Sequence, residues 1–398
     1  DHHFRKGYAI MTRLKSTTVT LLASIAIVLS ANSIAEAKKP DKPGGGGDAA
    51  YTIIPIEPLG MNSVRSGVAD LNELTQAVGF AEDAAGASHA VHYDYATGQY
   101  TVLAGGSTIG AEGVNDLNQI AGFVGDAGAF WSQPTASPVT LLPLDPTDSP
   151  SEVRAGALAI NNDGLVLGGA DETFWDANGQ ELLTIRTAVV WHVTVDGDGV
   201  AHVQGPVALP TLPGHANTFA GTGCLSESIN GTAFATGVSY GMDYTEPGEA
   251  ATWSIVLNSD GDLIVEDPES RAAAKSAGHG INWFGDVCGR QNERPFLALA
   301  GQSVQLLSTP RKTQNGYALD LNDVAEVIGQ LDVRRSGMPP RWYAYLWTGG
   351  SRIELSSQID SASGWSRLDR ANTINNSGVI GGSGTRDVDQ RGFIMIPN

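Results

Sequence analysis

The chain has 398 residues, and its 43 acidic residues outnumber its 24 basic ones, which gives a formal net charge of −19 at pH 7. A charge of this sign argues against binding to nucleic acid or to an anionic membrane surface, because both are negatively charged themselves. The length is ample for a large hydrophobic core.

The first fifty residues are predicted to lie outside the folded domain. Residues 1–10 carry no pattern and are interpreted as an extraneous segment. Residues 11–37 have a basic start, an apolar run shorter than the roughly 20 residues of a membrane span, and a small-residue cleavage motif that ends at Ala37. They predict a signal peptide, and therefore a secreted protein, extracellular or periplasmic, that does not span a membrane. Residues 38–50 are rich in Pro and Gly and predict a linker.

Residues 51–398 contain a repeat whose anchor is an aliphatic residue followed by Asn. The anchor asparagines are predicted to be Asn72, Asn118, Asn161, Asn230, Asn282, Asn322 and Asn375. Most of their spacings fall near the roughly 40–50 residues of a four-stranded propeller blade. A Gly follows three residues after Asn161 and Asn375, which indicates a tight turn between two strands.

Each unit is predicted to form four short strands, but the seventh unit stops after its third strand. A strand of the missing fourth type, Tyr51–Gly60, stands instead at the front of the domain. This split predicts a closed ring, because closure removes the exposed sheet edges that an open array would leave. The predicted fold is therefore all-β, a seven-bladed β-propeller of four-stranded antiparallel blades in which the N-terminal strand closes the last blade. A solenoid, the alternative, would need no such split.

Several strings in these units resemble the bacterial extracellular HAF repeat family, which is named for the His-Ala-Phe of its third strand. The best matches are SHAV at 88–91 and GAFW at 128–131, together with the strings AINNDGLVLGG and TINNSGVIGG around Asn161 and Asn375. Units four and five depart from the family pattern after Asn230 and Asn282. The resemblance covers residues 51–398. It implies an extracellular location and a repeat fold rather than an activity.

The long connections are predicted to lie on one face of the ring. They join strands two and three of a blade, or one blade to the next, and both kinds emerge at the same end of a four-stranded blade. We call this end the long-loop face. Any binding site is expected there, near the central channel, because a rigid scaffold positions functional loops. In one of these connections, the Ala-rich segment Glu269–Ser276 predicts a short helix.

Aromatic and basic residues in or beside the long connections are the predicted binding residues. Phe174, Trp175 and Trp342 would stack on a ligand. Arginines would contact its anionic groups, and these are Arg334, Arg335, Arg341 and Arg386. By contrast, tryptophans that recur at one repeat position are predicted to pack between blades, and these are Trp131, Trp191, Trp253 and Trp347.

Two further features leave alternatives open. Cys224 and Cys288 fall in adjacent units of an exported protein, so that a disulfide and a pair of buried thiols are both compatible with the sequence. Two Asp-Gly stretches are interpreted as hairpin turns, with a weak calcium site as the alternative and no other metal predicted. The residues concerned are Asp196, Asp198, Asp260 and Asp262.

The sequence favours a binding module over an enzyme. No nucleophile elbow, Walker A motif, dinucleotide fingerprint or zinc spacing stands in a fitting context. The first hypothesis is a secreted propeller that binds a glycan or protein partner through the long-loop face without a cofactor. One alternative is a structural exoprotein that forms homo-oligomers by exchanging residues 51–59. Another is a propeller hydrolase or lyase.

Overall fold

The computed structural model describes residues 49–60, 65–106, 109–145, 151–176, 180–242, 247–334 and 340–398. They belong to one compact unit and fold almost entirely as β-strands. Residues 1–48, which include the predicted signal peptide and most of the predicted linker, lie outside the described residues. The strands form seven antiparallel sheets, each of which is one blade of a propeller.

Each blade has four principal strands, and its first strand lines the central channel. These inner strands are β2 (Ser66–Leu71), β6 (Ile109–Val114), β10 (Ser151–Ile160), β14 (Asn217–Phe219), β19 (Ser276–Ile281), β23 (Thr313–Leu321) and β27 (Trp365–Ile374). The second strands are β3 (Gln76–Glu82), β7 (Ile120–Val124), β11 (Leu165–Trp175), β15 (Thr232–Tyr240), β20 (Val287–Gln291), β24 (Val327–Val333) and β28 (Ile380–Arg386).

The two outer positions of each blade complete the sheets. The third strands are β4 (Ser88–Asp94), β8 (Ala127–Trp131), β12 (Glu181–Val195), β16 (Glu249–Leu257), β21 (Arg294–Ala298), β25 (Arg341–Thr348) and β29 (Asp389–Pro397). The outermost strands are β5 (Gln99–Val102), β9 (Val139–Leu141), β13 (Ala201–Ala208), β17 (Leu263–Val265), β22 (Gln305–Leu306), β26 (Ser351–Glu354) and, in the last blade, β1 (Tyr51–Ile56). The one helix of the described residues is a 3₁₀ turn, Leu355–Ser357.

The ring closes through β1, which pairs antiparallel with β29 of the same chain. The register runs from Tyr51 opposite Pro397 to Ile56 opposite Gly392. The Thr52 hydroxyl also donates to the side-chain oxygen of Asn398 at 2.6 Å. This pairing supplies the fourth strand that the last unit lacks. The predicted seven-bladed propeller and its closure by the N-terminal strand are thereby confirmed.

The core lies between blades, since each hydrophobic cluster draws its side chains from two neighbouring sheets. The third-strand tryptophans are buried there as predicted. Each one donates its indole N–H at 2.8–2.9 Å to a backbone carbonyl between the preceding blade and its own; the donor–acceptor pairs are Trp131–Ala104, Trp191–Leu142, Trp253–Pro210 and Trp347–Ser308. Burying one large apolar side chain stabilises by about 1.5–3 kcal/mol. The repeated tryptophan therefore both packs and links adjacent blades.

A ring of asparagines ties the blades together where the inner strands end. Asn115 shows the pattern, because its Nδ2 donates to the carbonyl of Asn161 at 2.9 Å and its Oδ1 accepts from the amides of Leu117 and Gln119. The bond from Nδ2 to the next blade recurs at 2.8–3.3 Å in six blades, from Asn72, Asn115, Asn161, Asn282, Asn322 and Asn375. We call these residues, with Ser226 in the fourth blade, the anchor ring.

The anchor ring corrects two of the predicted anchors. Asn118 is not the equivalent residue of the second blade; it has φ of +61° and occupies the same left-handed turn position as Thr75. In the fourth blade, Ser226 rather than Asn230 accepts the bond from Asn161 through its carbonyl. Asn tolerates the left-handed region better than most residues, so it occurs at the left-handed turn position as well as in the anchor ring. An aliphatic residue followed by Asn therefore does not distinguish the two positions.

The long connections also differ from the predictions. The segment expected as a helix, Glu269–Ser276, contains instead a short strand, β18 (Glu269–Ser270), which pairs with β16. Ala272 in this segment is buried against the fifth blade, so tertiary packing overrides the helix propensity of its alanines. The excursion after Ala170 is mostly strand as well, because β11 and β12 continue as a hairpin to Trp175 and Glu181.

Candidate functional site

Within the described residues, six inner strands carry a β-bulge at the same position of the repeat. This position lies three residues before the anchor-ring residue of the same blade. A bulge leaves one residue without a ladder partner and re-aims its side chain. The bulged residues are Ala69, Glu112, Leu158, His279, Leu319 and Asn372. The repeat thus places one variable, bulged residue on the inner strand of six blades.

A cavity of about 440 Å³ opens at the end of the channel between the fourth and seventh blades. Gln330 and Trp342, on either side of the connection from β24 to β25, lie at its wall, so it belongs to the long-loop face. Its volume falls within the roughly 300–1,000 Å³ of small-molecule sites. We call it the long-loop cavity, and its principal side chains are Phe219, His279, Tyr317, Trp342, Arg370 and Asn372.

Tyr317 is the central aromatic residue of the long-loop cavity. Its ring centroid lies 5.7 Å from that of Trp342 and 6.0 Å from that of His279. The guanidinium of Arg290 lies 4.8 Å from the ring centroid, and its Nη1 donates to the Tyr317 hydroxyl oxygen at 2.6 Å. Because this oxygen accepts from Arg290, the phenolic hydrogen is left to donate to another group.

Burial and nearby positive charges keep the histidine of the cavity neutral. Burial, together with the positive charges of Arg290 and Arg370, lowers the pKa of His279 to about 4. The Nε2 atom of His279 is shielded from solvent and has no hydrogen-bond partner. Burial also raises the pKa of Glu112 to about 7, with Asp70 adding to the rise and Arg370 opposing it. At neutral pH the cavity therefore offers the guanidinium of Arg370 and an uncharged imidazole, while the guanidinium of Arg290 contacts Tyr317.

A second cavity, of about 260 Å³, lies beside the long-loop cavity on the same face. The two share Phe219, whose side chain is 43% exposed. Arg154 and Asp171 stand at the wall of this second cavity. A ligand longer than one ring can therefore extend from the first cavity into the second.

The opposite end of the channel holds a smaller cavity of about 180 Å³, surrounded by carboxylates. These carboxylates directly follow anchor-ring residues and belong to Glu73, Asp116, Glu227 and Asp323. Several accept backbone amides of the preceding blade; Asp116, for example, accepts from Glu73 at 2.9 Å. Burial, together with neighbouring carboxylates, raises the pKa of Glu227 to about 7. The molecule thus has a cavity at each end, although one was expected only on the long-loop face.

The structure brings one predicted binding residue into the long-loop cavity. Trp342 lies at its wall, whereas Arg334 and Arg341 are exposed at the tip of the β24–β25 hairpin beside it. Arg386 is engaged elsewhere, because its Nη1 donates to the Glu57 carboxylate at 2.7 Å. Arg335 lies outside the described residues.

The other two predicted aromatics stand apart from this cavity. Phe174 and Trp175 lie at the tip of the β11–β12 hairpin, half-buried, with Phe174 opposite Leu183. They contribute to neither cavity of the long-loop face. Stacking on a ligand by these two residues stays a prediction.

The cysteines are two free, fully buried thiols, so the structure does not contain the disulfide. The Cys224 thiol donates to the carbonyl of His279 in the next blade at 3.2 Å, which ties the blades together without a covalent bridge. Burial raises the pKa of Cys224 to about 12. Cys288 is buried in the interface between the fifth and sixth blades, and burial raises its pKa as well.

The candidate calcium residues take part in hairpin turns. Asp196 accepts the amides of Asp198 and Val200. The side-chain oxygen of Asn258 accepts the amides of Asp260 and Asp262 in the same way. Among the described residues, no group of three or more His, Cys, Asp or Glu side chains is placed to hold a metal ion. The calcium alternative stays an untested prediction.

Sequence reasoning missed most of the long-loop cavity, namely Phe219, His279, Tyr317, Arg370 and Asn372. One signal could have found two of them. The residue five positions before the anchor ring is Gly in the first three blades, but it is Tyr317 in the sixth and Arg370 in the seventh. Large side chains at a position otherwise kept small mark a departure from the structural repeat. The misplaced anchor in the second blade concealed this pattern.

Comparison with known proteins adds no family assignment. No family model and no curated protein matches the chain, so the resemblance to the HAF repeat family stays a prediction. Among solved structures, the chain is similar to TolB from Acinetobacter baumannii, with 13% identity and a TM-score of 0.30 over 77% of this chain and 76% of that one. It is also similar to an acylaminoacyl peptidase from Pyrococcus horikoshii, with 11% identity and a TM-score of 0.33 over 81% of this chain and 58% of that one.

These similarities are too distant to carry a functional argument. A levansucrase variant from B. megaterium is more distant still, with 9% identity and a TM-score of 0.23 over 77% of this chain and 84% of that one. Within the described residues, no helix has the length and apolar character needed to cross a bilayer. The cavities are therefore the features of this chain that bear on its function.

Proposed function

We propose that this chain is a secreted binding module whose ligand is an acidic saccharide held in the long-loop cavity. The observation that carries the proposal is the Tyr317–Trp342 ring pair, with centroids 5.7 Å apart, in the same cavity as the guanidinium of Arg370. Secretion is inferred from residues 11–37 alone, which lie outside the described part of the chain.

The chemistry of the cavity favours a sugar over an apolar ligand. Aromatic faces pack on the C–H faces of a pyranose, while the amide of Gln330 and the phenol of Tyr317 supply hydrogen bonds to its hydroxyls. The Arg370 side chain reaches solvent, although partial burial lowers the pKa of its guanidinium; the nearby Tyr317 and Glu112 oppose this shift. A guanidinium binds a carboxylate in bidentate geometry, which selects an acidic sugar.

The adjoining cavity favours a polymer over a single sugar. Arg154 lies at the wall of this cavity, with its Nη1 atom 3.6 Å from Oδ1 of Asp126. The Arg154 side chain is mostly exposed. Phe219 lies between the two cavities and presents an exposed aromatic face. A chain of acidic sugars would therefore meet an arginine and an aromatic ring in each of two successive subsites.

Calorimetric titration of the purified protein with oligogalacturonate, and with a neutral oligosaccharide of equal length, tests the proposal. Binding is expected for the acidic ligand only, and it should weaken as salt rises because the contacts are partly exposed. Trp342→Ala and Arg370→Ala should each weaken binding by about 30-fold, the equivalent of a hot-spot loss of about 2 kcal/mol.

Matched controls remove the same groups far from the cavity. Arg352 lies on the outermost strand of the sixth blade, with its guanidinium 5.7 Å from the Tyr345 ring centroid. Phe284 is exposed at the opposite end of the channel. Arg352→Ala and Phe284→Ala should bind as the unaltered protein does. Equal affinity for the neutral ligand, or unchanged affinity in the two cavity variants, would contradict the proposal.

A further inference from the structure

The long-loop cavity combines three groups that a β-elimination requires. His279 has a solvent-shielded Nε2 without a hydrogen-bond partner. Tyr317 stands 6.0 Å from it, centroid to centroid, with its hydroxyl oxygen held by Arg290. Arg370 lies at the wall of the same cavity. Three residues that carry an unpartnered imidazole nitrogen, a phenol with a free hydrogen and a guanidinium thus line one cavity.

We propose that the cavity cleaves 4-linked uronic acid polymers by β-elimination, with His279 as base, Tyr317 as acid and Arg370 bound to the sugar carboxylate. This inference rests on the proposed function, since it assumes that an acidic saccharide is the ligand. It goes beyond binding by assigning a reaction and a role to each of the three side chains.

The reaction balances without a co-reactant. The C5–H bond of the uronic acid, which is α to the carboxylate, breaks, and its proton passes to Nε2 of His279. The C5–H electron pair forms the C4=C5 double bond while the C4–O4 bond breaks. The Tyr317 hydroxyl gives its proton to the departing O4, and solvent then returns a proton from His279 to the phenolate. No water is added, so the fragments together have the mass of the intact polymer.

The electrostatics of the cavity match this role assignment. Proton removal next to a carboxylate places further negative charge on the carboxylate oxygens, and a guanidinium bound there stabilises that charge. A base must be unprotonated at the start, and burial together with Arg290 and Arg370 keeps His279 neutral. Arg290 acts as a positioning residue, because its bond to the Tyr317 oxygen orients the phenol.

Hydrolysis is the less suitable reaction for this cavity. Glycoside hydrolysis generally requires two carboxyl groups on either side of the scissile bond. The described residues at the wall of the long-loop cavity include no Asp or Glu. Glu112 lies near the cavity but not at its wall, and the charges that act on it are those of Asp70 and Arg370. It therefore has no second carboxylate in this cavity to act with. The His–Tyr–Arg set therefore fits proton abstraction α to a carboxylate better.

The test incubates the full chain with polygalacturonate and with alginate and follows the ultraviolet absorbance of the unsaturated product. We expect absorbance to rise with at least one polymer, and mass spectrometry should find fragments one water lighter than hydrolysis would give. A carboxyl-reduced polymer should remain intact. Fragments that contain an added water would overturn the inference.

Variants separate catalysis from binding. His279→Gln and Tyr317→Phe should lower turnover by about 10²–10⁴-fold, the usual range for a general acid or base, while calorimetric affinity stays within a few-fold. Tyr100→Phe, which removes a phenol from an outermost strand, should keep full turnover. Full turnover in both cavity variants would refute the assigned roles. If the polymers bind but give neither absorbance nor shorter chains, elimination fails while the binding proposal stands. If neither polymer binds, both fail.

Discussion

Replacing Asn115 by Ala tests whether the anchor ring holds the blades together. The side chain makes four hydrogen bonds, two from Nδ2 to the carbonyl of Asn161 and the side chain of Gln119, and two to Oδ1 from the amides of Leu117 and Gln119. Asn115 is 2% exposed, so water cannot replace all these partners. Alanine would leave the Gln119 amide without its partner, and the Asn161 carbonyl would keep only the bond that it accepts from the amide of Gly164.

The magnitude follows from one unpaired amide and the other hydrogen bonds that are lost. A buried polar group left without a partner costs about 1–3 kcal/mol and a further lost hydrogen bond about 0.5–1.5 kcal/mol, so we expect Asn115→Ala to lower the free energy of unfolding by about 3 kcal/mol. Equilibrium unfolding in urea, followed by tryptophan fluorescence, measures this loss. Fluorescence is suitable because Trp131 in the same blade is fully buried.

Asn118 supplies the matched control, since it lies three residues away in the same turn. Its φ of +61° costs alanine about 1 kcal/mol, so Asn118→Ala should have a smaller effect, and Asn118→Gly little or none. A loss below about 1 kcal/mol for Asn115→Ala, or a greater loss for Asn118→Ala, would refute the assignment of the anchor ring.

Three other consequences concern pH, thiols and ring closure. Burial raises the pKa of Glu112 to about 7 and that of Asp70 to about 6. Between the ordinary carboxyl pKa and these values, the folded state therefore binds more protons than the unfolded state, and stability should fall as pH rises from about 4.5 to 7. Glu112→Gln should flatten this dependence of Tm on pH. Cys224 and Cys288 are buried, so a thiol reagent should modify neither in the native protein and both in urea; rapid native modification would contradict the interface assignment. Deleting residues 51–56 exposes the edge of β29 and should produce oligomers by light scattering, whereas a stable monomer would show that β1 is dispensable.

The fold was predictable because the sequence repeats the same turn and strand motifs in each unit. Closure followed from one strand at the front and one missing at the end, and the pairing of Ile53 with Met395 confirms it. The anchor positions were harder, because Asn also suits the left-handed turn residue represented by Asn118. In the fourth blade, Ser226 replaces the asparagine, so the pattern is absent there. Composition did not predict β18 either, since its pairing with β16 is a tertiary effect.

The candidate site was largely beyond the sequence. His279 and Asn372 reach the channel wall because each is the extra residue of a bulge, and a bulge is not visible in the order of residues. Tyr317 and Arg370 come from different blades and meet only when the ring closes. Trp342 was found because it stands in a long connection. The arginines chosen with it were selected by charge alone, which does not distinguish a hairpin tip from a cavity wall.

The central claim is that the long-loop cavity holds an acidic saccharide. A crystal structure of the Tyr317→Phe protein soaked with oligogalacturonate tests it most directly, because this variant should bind the sugar without cleaving it. We expect a uronic acid with its carboxylate on Arg370 and its ring against Trp342. A saccharide bound only at the exposed Arg334 and Arg341, or at the opposite end of the channel near Glu227, would contradict it.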